Sequence, residues 1–419
     1  MKRLPRQAWR IRAAARAAAA DASLRSRDLG AGGHDAYFAA LQRALKAAGI
    51  AEPTLVIDRA RLAVNIETVR RVLAPTPLAL RVVSKSLQAP ALLEAVLAGT
   101  GSDRLMVFNG VMLDEIAAFR PEADVLLGRP LPAAQVADFV CRHANDPAAA
   151  AHPQWLVDSS RRLAQYLEIA RATNSPMRIS LEIDVGLHRG GLPDERALAG
   201  VIDEALGEPL IEIAGLMGYD AHAAGAPSPA AEVARVKVRY AAALAVLDEK
   251  LKRDPAGLTL NTAGSPTYAL HLDDTVANEV SVGSAFVKPT HFDLPSLESH
   301  LPAAFIAQPV LKAVDPALIP RLEDLASDLE IIDPNTRRGF FLYGGYGDAR
   351  AVSPLGLRFS PLYGGRSMLT GSARVELAED DFVFMRPTES EGVFLQFGDI
   401  AVYDGAQIVE RWPTFKVAP

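Results

Sequence analysis

The sequence predicts an α/β protein, a (β/α)8 TIM barrel followed by a C-terminal β domain. From Leu55 to about Gly283, short β-rich runs alternate with longer helical segments, which is the pattern of a parallel sheet with crossover helices. Beyond Val310 the runs are short and alternating, and Gly and Asp turns separate them, as in antiparallel hairpins. A chain of 419 residues is long enough for both domains.

Eight barrel strands are expected after a leading strand at "TLVID". They span residues 80–84, 104–108, 124–127, 154–158, 178–184, 211–217, 258–261 and 278–282. Helical patterns such as "APALLEAVLAG" and "SRRLAQYLEIARATN" lie between them. We therefore expect a helical N-terminal extension over 1–50, the barrel with its leading strand over 51–305, and the β domain over 306–419.

The composition favours a protein that acts on small molecules. The chain is 49% hydrophobic and 22% charged, as soluble globular proteins are, and has no apolar run of about 18 residues that could span a bilayer. A net charge of −6 argues against a nucleic-acid-binding surface, which needs clustered Lys and Arg. A single cysteine, Cys141, excludes an internal disulfide and fits a cytoplasmic location. The Arg-rich first 23 residues loosely resemble a transit peptide, but a surface helix is the favoured interpretation.

Candidate functional residues follow the predicted strands, because the functional groups of such barrels lie at the C-terminal ends of the strands. The first barrel strand ends at Lys85, the fifth runs into "EIDVGLHRGG" with Arg189, and the sixth into "GLMGYDAH" with Tyr219 and His222. A lysine that ends a strand is usually just solvated, but its compact amine can also act as a Schiff-base nucleophile. The other three could equally be ordinary strand-end or core-edge residues.

Two loops of small residues follow the last two strands, "GSPT" at 264–267 and "GSA" at 283–285. Each alone is a common turn. Together they match the usual phosphate position in these barrels, after the seventh and eighth strands, where free backbone N–H groups can hold an anion. A reactive lysine facing a phosphate-binding loop indicates pyridoxal 5′-phosphate as the cofactor.

These motifs resemble the fold-type III pyridoxal-phosphate enzymes, and within them the D-threonine aldolase and D-serine dehydratase group. The similarity covers roughly residues 50–415. Its motifs are Arg-x-x-x-Lys at Arg81 to Lys85, followed by Ser86, then "EIDVGLHRGG", "GLMGYDAH" and "GSPT". The resemblance implies an alanine racemase-like fold and a head-to-tail homodimer in which each C-terminal domain completes the partner's site.

The resemblance also implies roles for individual residues. Lys85 would hold the cofactor as a Schiff base. The cofactor-binding residues implied are Lys85, Arg81, Arg189, Tyr219, His222, Gly264, Ser265, Gly283 and Ser284.

One departure from the family concerns its metal site. The metal-binding elements correspond here to "TESEG" and "ERWPT", which leaves Glu410 and Trp412 where a histidine and a cysteine or aspartate would stand. Tryptophan does not ligate a divalent ion, and one carboxylate alone makes a poor zinc site. The sequence therefore predicts no zinc, while an oxygen-ligated Mg²⁺ stays open.

The favoured function is a lyase that converts a D-serine- or D-threonine-like substrate to a 2-oxo acid and ammonia. Lys85 would remove the α-proton, and a general acid would protonate the leaving hydroxyl. The candidate acids are Glu389, Glu391, Glu410 and His222, of which His222, Glu391 and Glu410 join Lys85 as predicted catalytic residues.

Three alternatives stay open. Retro-aldol cleavage of a D-3-hydroxy amino acid would need a base for the hydroxyl proton. Racemisation would need a second base, for which Tyr343, Tyr346 and Tyr363 are candidates. The third alternative is a non-catalytic pyridoxal-phosphate carrier. A nicotinamide enzyme is poorly supported, because no G-x-G-x-x-G motif follows a strand.

Overall fold

The computed structural model describes residues 4–144, 153–252, 257–344, 348–360 and 367–416. They form two compact units. The barrel unit comprises the described residues of Arg61–Leu301, Ser390–Leu395 and Trp412–Pro419. The sheet unit comprises those of Met1–Ala60, Pro302–Glu389 and Gln396–Arg411. Among the described residues, no helix is long and apolar enough to cross a membrane.

The described residues of the barrel unit form a closed barrel of eight parallel strands, in chain order, which confirms the predicted fold. The strands are β2 (Ala79–Val83), β3 (Arg104–Val107), β4 (Asp124–Leu127), β5 (Pro153–Val157), β6 (Met177–Glu182), β7 (Ile211–Gly218), β8 (Thr259–Thr262) and β9 (Glu279–Val282). The helices are α3 (Arg59–Leu73), α4 (Pro90–Thr100), α5 (Gly110–Phe119), α6 (Ala133–Arg142), α7 (Ser160–Thr173), α8 (Glu195–Leu206) and α9 (Pro229–Leu251).

The barrel strands are buried on both faces, which explains their nearly continuous apolar runs. Gly215 is required where β7 pairs with β8, because a Cβ atom there would lie 1.8 Å from the carbonyl oxygen of Thr259. Several helices begin at side-chain caps: Asn109 accepts a hydrogen bond from Met112 N at the start of α5, and Ser159 one from Arg162 N at the start of α7. The apolar strands and the helix caps are both visible in the sequence, which is why the alternation of strands and helices could be predicted.

The described residues of the sheet unit form a nine-stranded sheet. Its strands are β1 (Thr54–Asp58), β10 (Ala304–Val314), β11 (Arg338–Leu342), β12 (Ala349–Ser353), β13 (Arg358–Phe359), β14 (Met368–Gly371), β15 (Phe382–Pro387), β16 (Ile400–Tyr403) and β17 (Ile408–Trp412). The helices α1 (Leu4–Ala20), α2 (Ala36–Ala47) and α10 (Ala326–Ile332) belong to this unit. Phe38 and Leu45 of α2 pack with Phe305 and Phe384 of the sheet in one apolar core.

The structure divides the chain differently from the sequence-based domain limits in two places. Residues 54–58, expected as a leading strand of the barrel, form β1, which pairs antiparallel with β10 and parallel with β16 in the sheet unit. Residues 4–50, expected as a separate extension, supply α1 and α2 to the same unit. Both differences arise from long-range strand pairing, which local hydrophobic periodicity does not encode.

Candidate active site

A cavity opens at the C-terminal ends of the barrel strands, where the sequence predicted the site. Val83, Met106, Met217 and Phe292 supply an apolar lining. The polar lining includes Lys85, Arg189, Tyr219, Gly264, Ser265, Gly283, Ser284 and Glu391. The structure thus brings together eight of the residues predicted from the sequence.

Lys85 lies in a short 3-10 turn, Ser84–Ser86, immediately after β2. Its Nζ is 2.5 Å from Glu391 Oε1 and 4.4 Å from the centroid of the Phe108 ring. The Gln88 amide donates to the carbonyl oxygens of both Lys85 (2.9 Å) and Glu391 (2.7 Å). This clamp holds the Glu391 carboxylate beside the amine.

Arg189 and Tyr219 form a second pair in the cavity. The guanidinium carbon of Arg189 lies 4.8 Å from the centroid of the Tyr219 ring, a cation–π contact. Burial raises the pKa of Tyr219, while the charges of Arg189 and Arg129 act in the opposite direction. A Cβ on Gly264 would lie 2.5 Å from the ring, so the glycine lets the ring pack directly on the loop backbone. Tyr219 is therefore a neutral, positioned phenol.

Serine side chains connect the two predicted phosphate loops to each other and to the turn that contains Lys85. Ser265 Oγ accepts hydrogen bonds from Gly283 N (3.0 Å) and Ala285 N (3.1 Å), which joins the two loops. Ser284 Oγ lies 3.1 Å from Ser86 Oγ. The hydroxyl groups of Ser86, Ser265 and Ser284 are of the kind that can donate hydrogen bonds to a phosphate.

The first predicted phosphate loop is anchored by a buried carboxylate that sequence reasoning missed. Thr267 Oγ1 donates to Asp220 Oδ1 (2.6 Å), and His271 Nε2 is 2.7 Å from Asp220 Oδ2. Asp220 and His271 are almost fully buried. The available signal was the aspartate that follows Tyr219 in "GLMGYDAH".

Sequence reasoning also did not identify Glu182 as a candidate site residue, although it is the first residue of "EIDVGLHRGG". It ends β6 and is buried. Burial raises the pKa of Glu182 to about 7, and the charge of Arg189 is the largest opposing influence. A carboxyl group that titrates near neutrality beside a functional cation is typical of active sites.

Arg81 is not placed as a cofactor-binding residue. It is fully buried inside the barrel, and its guanidinium donates to both carboxylate oxygens of Glu279, at 2.5 and 2.9 Å. It also donates to the carbonyl oxygens of Leu105 (3.0 Å) and Asp124 (2.8 Å). Arg81 lies four residues before Lys85, one layer below the cavity, so its charge is already neutralised within the barrel.

Two further predicted residues do not line the cavity. His222 enters a short 3-10 turn, Ala221–Gly225, and its Nε2 lies 3.4 Å from Glu232 Oε1. Glu410 lies on β17 in the sheet unit and forms an ion pair with Arg59. His222 contacts the first turn of α9 instead, because the 3-10 turn begins two residues after Tyr219.

The remaining candidate acids and bases are also located. Glu389 and Tyr343 belong to the sheet unit, whereas Tyr346 and Tyr363 lie outside the described residues. Within the described parts of the chain, no group of three His, Cys, Asp or Glu residues could hold a metal ion. Trp412 ends β17 and is buried. The absence of zinc stays a prediction from the sequence.

The donor set fits pyridoxal 5′-phosphate. Lys85 presents a primary amine for the aldehyde, Tyr219 and Arg189 offer a ring face and a cation, and the serine-rich loops offer phosphate donors. A glycine is required at position 283, because a Cβ atom there would lie 2.7 Å from Val83 Cβ and would force the loop away from β2. The cavity is apolar between these polar groups, as a cofactor ring requires.

Known structures share this fold. The chain is similar to D-threonine aldolase from Filomicrobium marinum (16% identity, 86% of this chain and 94% of that chain, TM-score 0.70). It is also similar to D-threo-3-hydroxyaspartate dehydratase from Delftia sp. HT23 (17%, 86% and 97%, TM-score 0.65). A third match is alanine racemase from Bacillus anthracis (15%, 86% and 97%, TM-score 0.62). No curated protein sequence is significantly similar to the chain.

Residues 57–290, more than half of the chain, match the family model described as alanine racemase, N-terminal domain. The match confirms the resemblance found in the sequence, and the matched residues include Lys85, Arg189, Tyr219 and both predicted phosphate loops. The protein therefore belongs to the alanine racemase N-terminal domain family, and its cofactor is pyridoxal 5′-phosphate.

Proposed function

We propose that the protein is a D-amino acid dehydratase that converts a D-serine- or D-threonine-like substrate to a 2-oxo acid and ammonia. The observation that supports this most is the 2.5 Å separation between Lys85 Nζ and Glu391 Oε1 at the cavity. Dehydration needs a base for the α-proton and an acid for the β-hydroxyl, and these two groups supply both.

Pyridoxal phosphate, when bound, stores the electron pair that remains after the α-proton leaves. Lys85 Nζ accepts that proton. Because Glu391 Oε1 lies within hydrogen-bond distance, the proton can pass from Nζ to the carboxylate. Glu391 then protonates the β-hydroxyl, which leaves as water. The released enamine takes up one water and loses ammonia, so the sum is one 2-oxo acid and one ammonia per substrate.

The surrounding residues keep this pair in place. Gln88 fixes Glu391 through its backbone carbonyl, and Ser390 Oγ donates to Ser284 Oγ at 2.9 Å. The segment that contains Glu391 is thus linked through Gln88 to the turn after β2, and through Ser390 to the second predicted phosphate loop. A positioned general acid typically contributes about 10²- to 10⁴-fold in rate.

The test uses cofactor-loaded protein, dialysed against a strong chelator and supplied with D-serine, D-threonine or D-3-hydroxyaspartate. We expect 2-oxo acid to form. Lys85→Ala should abolish both turnover and the absorbance of the bound cofactor. Glu391→Gln should lower kcat by about 10²- to 10⁴-fold and leave that absorbance unchanged. Glu168→Gln, an exposed carboxylate on α7, is the matched control and should behave as wild type.

Other outcomes would identify the rival reactions. Glycine with an aldehyde would indicate retro-aldol cleavage, in which the Glu391 carboxylate takes the hydroxyl proton. Exchange of the α-proton of both D- and L-alanine would indicate a racemase. Activity that is lost on chelation and restored by a divalent ion would contradict the prediction that the reaction needs no metal ion. The homodimer and the cytoplasmic location stay predictions, and sedimentation of the purified protein tests the former.

A further inference from the structure

Each of the two predicted phosphate loops is closed by a residue that follows it in the chain. Tyr268 N donates to the carbonyl oxygen of Gly264 at 2.9 Å, and Lys288 N donates to that of Ser284 at 2.7 Å. Tyr268 and Lys288 are buried, and neither lines the cavity. Their side chains can therefore fix the loops from outside the cavity.

The side chains of both loop-closing residues reach the same residue, His300. The Tyr268 hydroxyl oxygen is 2.9 Å from His300 Nε2, and Lys288 Nζ donates to the carbonyl oxygen of His300 at 2.8 Å. His300 is itself only 1% exposed. Tyr268 and Lys288 lie 20 positions apart along the chain, so His300 links two loops that local sequence does not connect.

The chain between Lys288 and His300 adds another link to the first predicted loop. Ser296 Oγ donates to the carbonyl oxygen of Pro266 at 2.7 Å. Phe292, in the same segment, lines the cavity. The segment 288–300 thus begins directly after the second loop and returns to the first, which it contacts at two points.

We propose that His300 is a positioning residue that holds the two predicted phosphate loops at the separation that the cofactor phosphate requires. A phosphate that both loops bind depends on their separation, and a loop that is fixed in advance loses less entropy on binding. The proposal extends the cofactor site and does not depend on which reaction the protein catalyses.

The link between His300 and Tyr268 adds no charge to the site. Burial lowers the pKa of His300 to about 4, and the charge of Lys288 acts in the same direction, so the imidazole is neutral at neutral pH. Burial also raises the pKa of Tyr268, which keeps the phenol protonated. Loss of this link should therefore act on the phosphate through the position of the loops and not through electrostatics.

The test compares two aldehydes that react with Lys85 through the same group. Pyridoxal 5′-phosphate has a phosphate and pyridoxal does not. Their dissociation constants for the full-length protein, stripped of its cofactor, are measured from the absorbance of the Schiff base. The variants are Tyr268→Phe, which removes only a hydroxyl, His300→Leu, and His300→Gln, which can still pair with that hydroxyl. The control Tyr166→Phe removes another buried hydroxyl, which donates to the carbonyl oxygen of Leu131 at 3.1 Å outside the cavity.

Tyr268→Phe should weaken pyridoxal 5′-phosphate by about 5-fold, the usual effect of losing one hydrogen bond, and leave pyridoxal unchanged. His300→Leu should have the same selective effect, and His300→Gln should recover part of the loss. Tyr166→Phe should match wild type. Equal losses for both aldehydes, or no loss for either, would overturn the proposal.

Ser265→Ala distinguishes a failure of this proposal from a failure of the predicted phosphate site. Ser265 Oγ joins the two loops and lines the cavity, so its loss should also weaken only the phosphorylated aldehyde. If Ser265→Ala does so while Tyr268→Phe and His300→Leu do not, the loops bind the phosphate without help from His300 and the proposal is wrong. If Ser265→Ala has no selective effect, the phosphate is bound elsewhere and the proposal fails together with the site.

Discussion

Replacing Arg81 with methionine should destabilise the barrel without emptying the cofactor site. The Arg81–Glu279 pair is fully buried and bidentate. Removing one partner of a buried pair costs about 3–5 kcal/mol, because the other charge stays buried. Glu279 keeps hydrogen bonds from Arg104 (2.8 Å) and Asn261 (2.7 Å), which favours the lower end of that range.

Two backbone acceptors add to the cost. The carbonyl oxygens of Leu105 and Asp124 lose their Arg81 donor, at about 1 kcal/mol each. We therefore expect a total loss of about 5 kcal/mol in the free energy of unfolding, a large share of the roughly 5–15 kcal/mol typical of a native protein.

Urea unfolding followed by circular dichroism measures this loss as a shift in midpoint. The matched control is Arg70→Met, which removes an exposed ion pair with Glu67 and should cost about 1 kcal/mol or less. A double variant with Glu279→Gln should lose less than the sum of the single variants. If Arg81→Met unfolds as wild type does but no longer binds the cofactor, the reasoning is refuted and Arg81 is a cofactor residue after all.

Three other predictions concern single residues. Because burial raises the pKa of Glu182 to about 7 in the folded state, the stability of the wild type should fall as the pH rises from about 4.5 to 7. Glu182→Gln should be more stable than wild type by up to about 3 kcal/mol at pH 8 and equally stable below pH 4.5, and pH-independent unfolding of the wild type would contradict this. Gly215→Ala should cost about 3 kcal/mol or more, or prevent soluble expression, because its Cβ would overlap the carbonyl oxygen of Thr259, whereas Gly200→Ala on α8, with open space around its Cβ, should be neutral or stabilising in thermal unfolding. Gly264→Ala should displace Tyr219 and weaken retention of the cofactor during dialysis by about 10-fold, and retention equal to wild type would show that the ring does not depend on this contact.

The sequence predicted the barrel well because each barrel strand is marked locally. Each of the eight is a short apolar run between turn residues, and the helices between them have the 3.6-residue period and, in several cases, caps. The limits of the sheet unit were less accurate. β1 resembles any buried strand, and only its pairing with β10 and β16 assigns it to the other unit.

The candidate site shows the same division between local and long-range information. Lys85 and Tyr219 were predictable because they lie within two residues of a strand end, and Arg189 because it lies in the loop that follows β6. Arg81 and His222 were misplaced because a few residues along the chain change the layer or the direction of a side chain. Glu391 was one of four candidate acids, and only the structure places it against Lys85.

By itself, the sequence determined the alternation of strands and helices, the lysine and the phosphate loops, since hydrophobic periodicity and strand-end residues are local properties. Only the tertiary structure decided which carboxylate pairs with that lysine and which arginine is neutralised inside the barrel. Those two outcomes depend on Glu391 and Glu279, which lie 306 and 198 positions from their partners, and such distances are bridged only when the barrel closes.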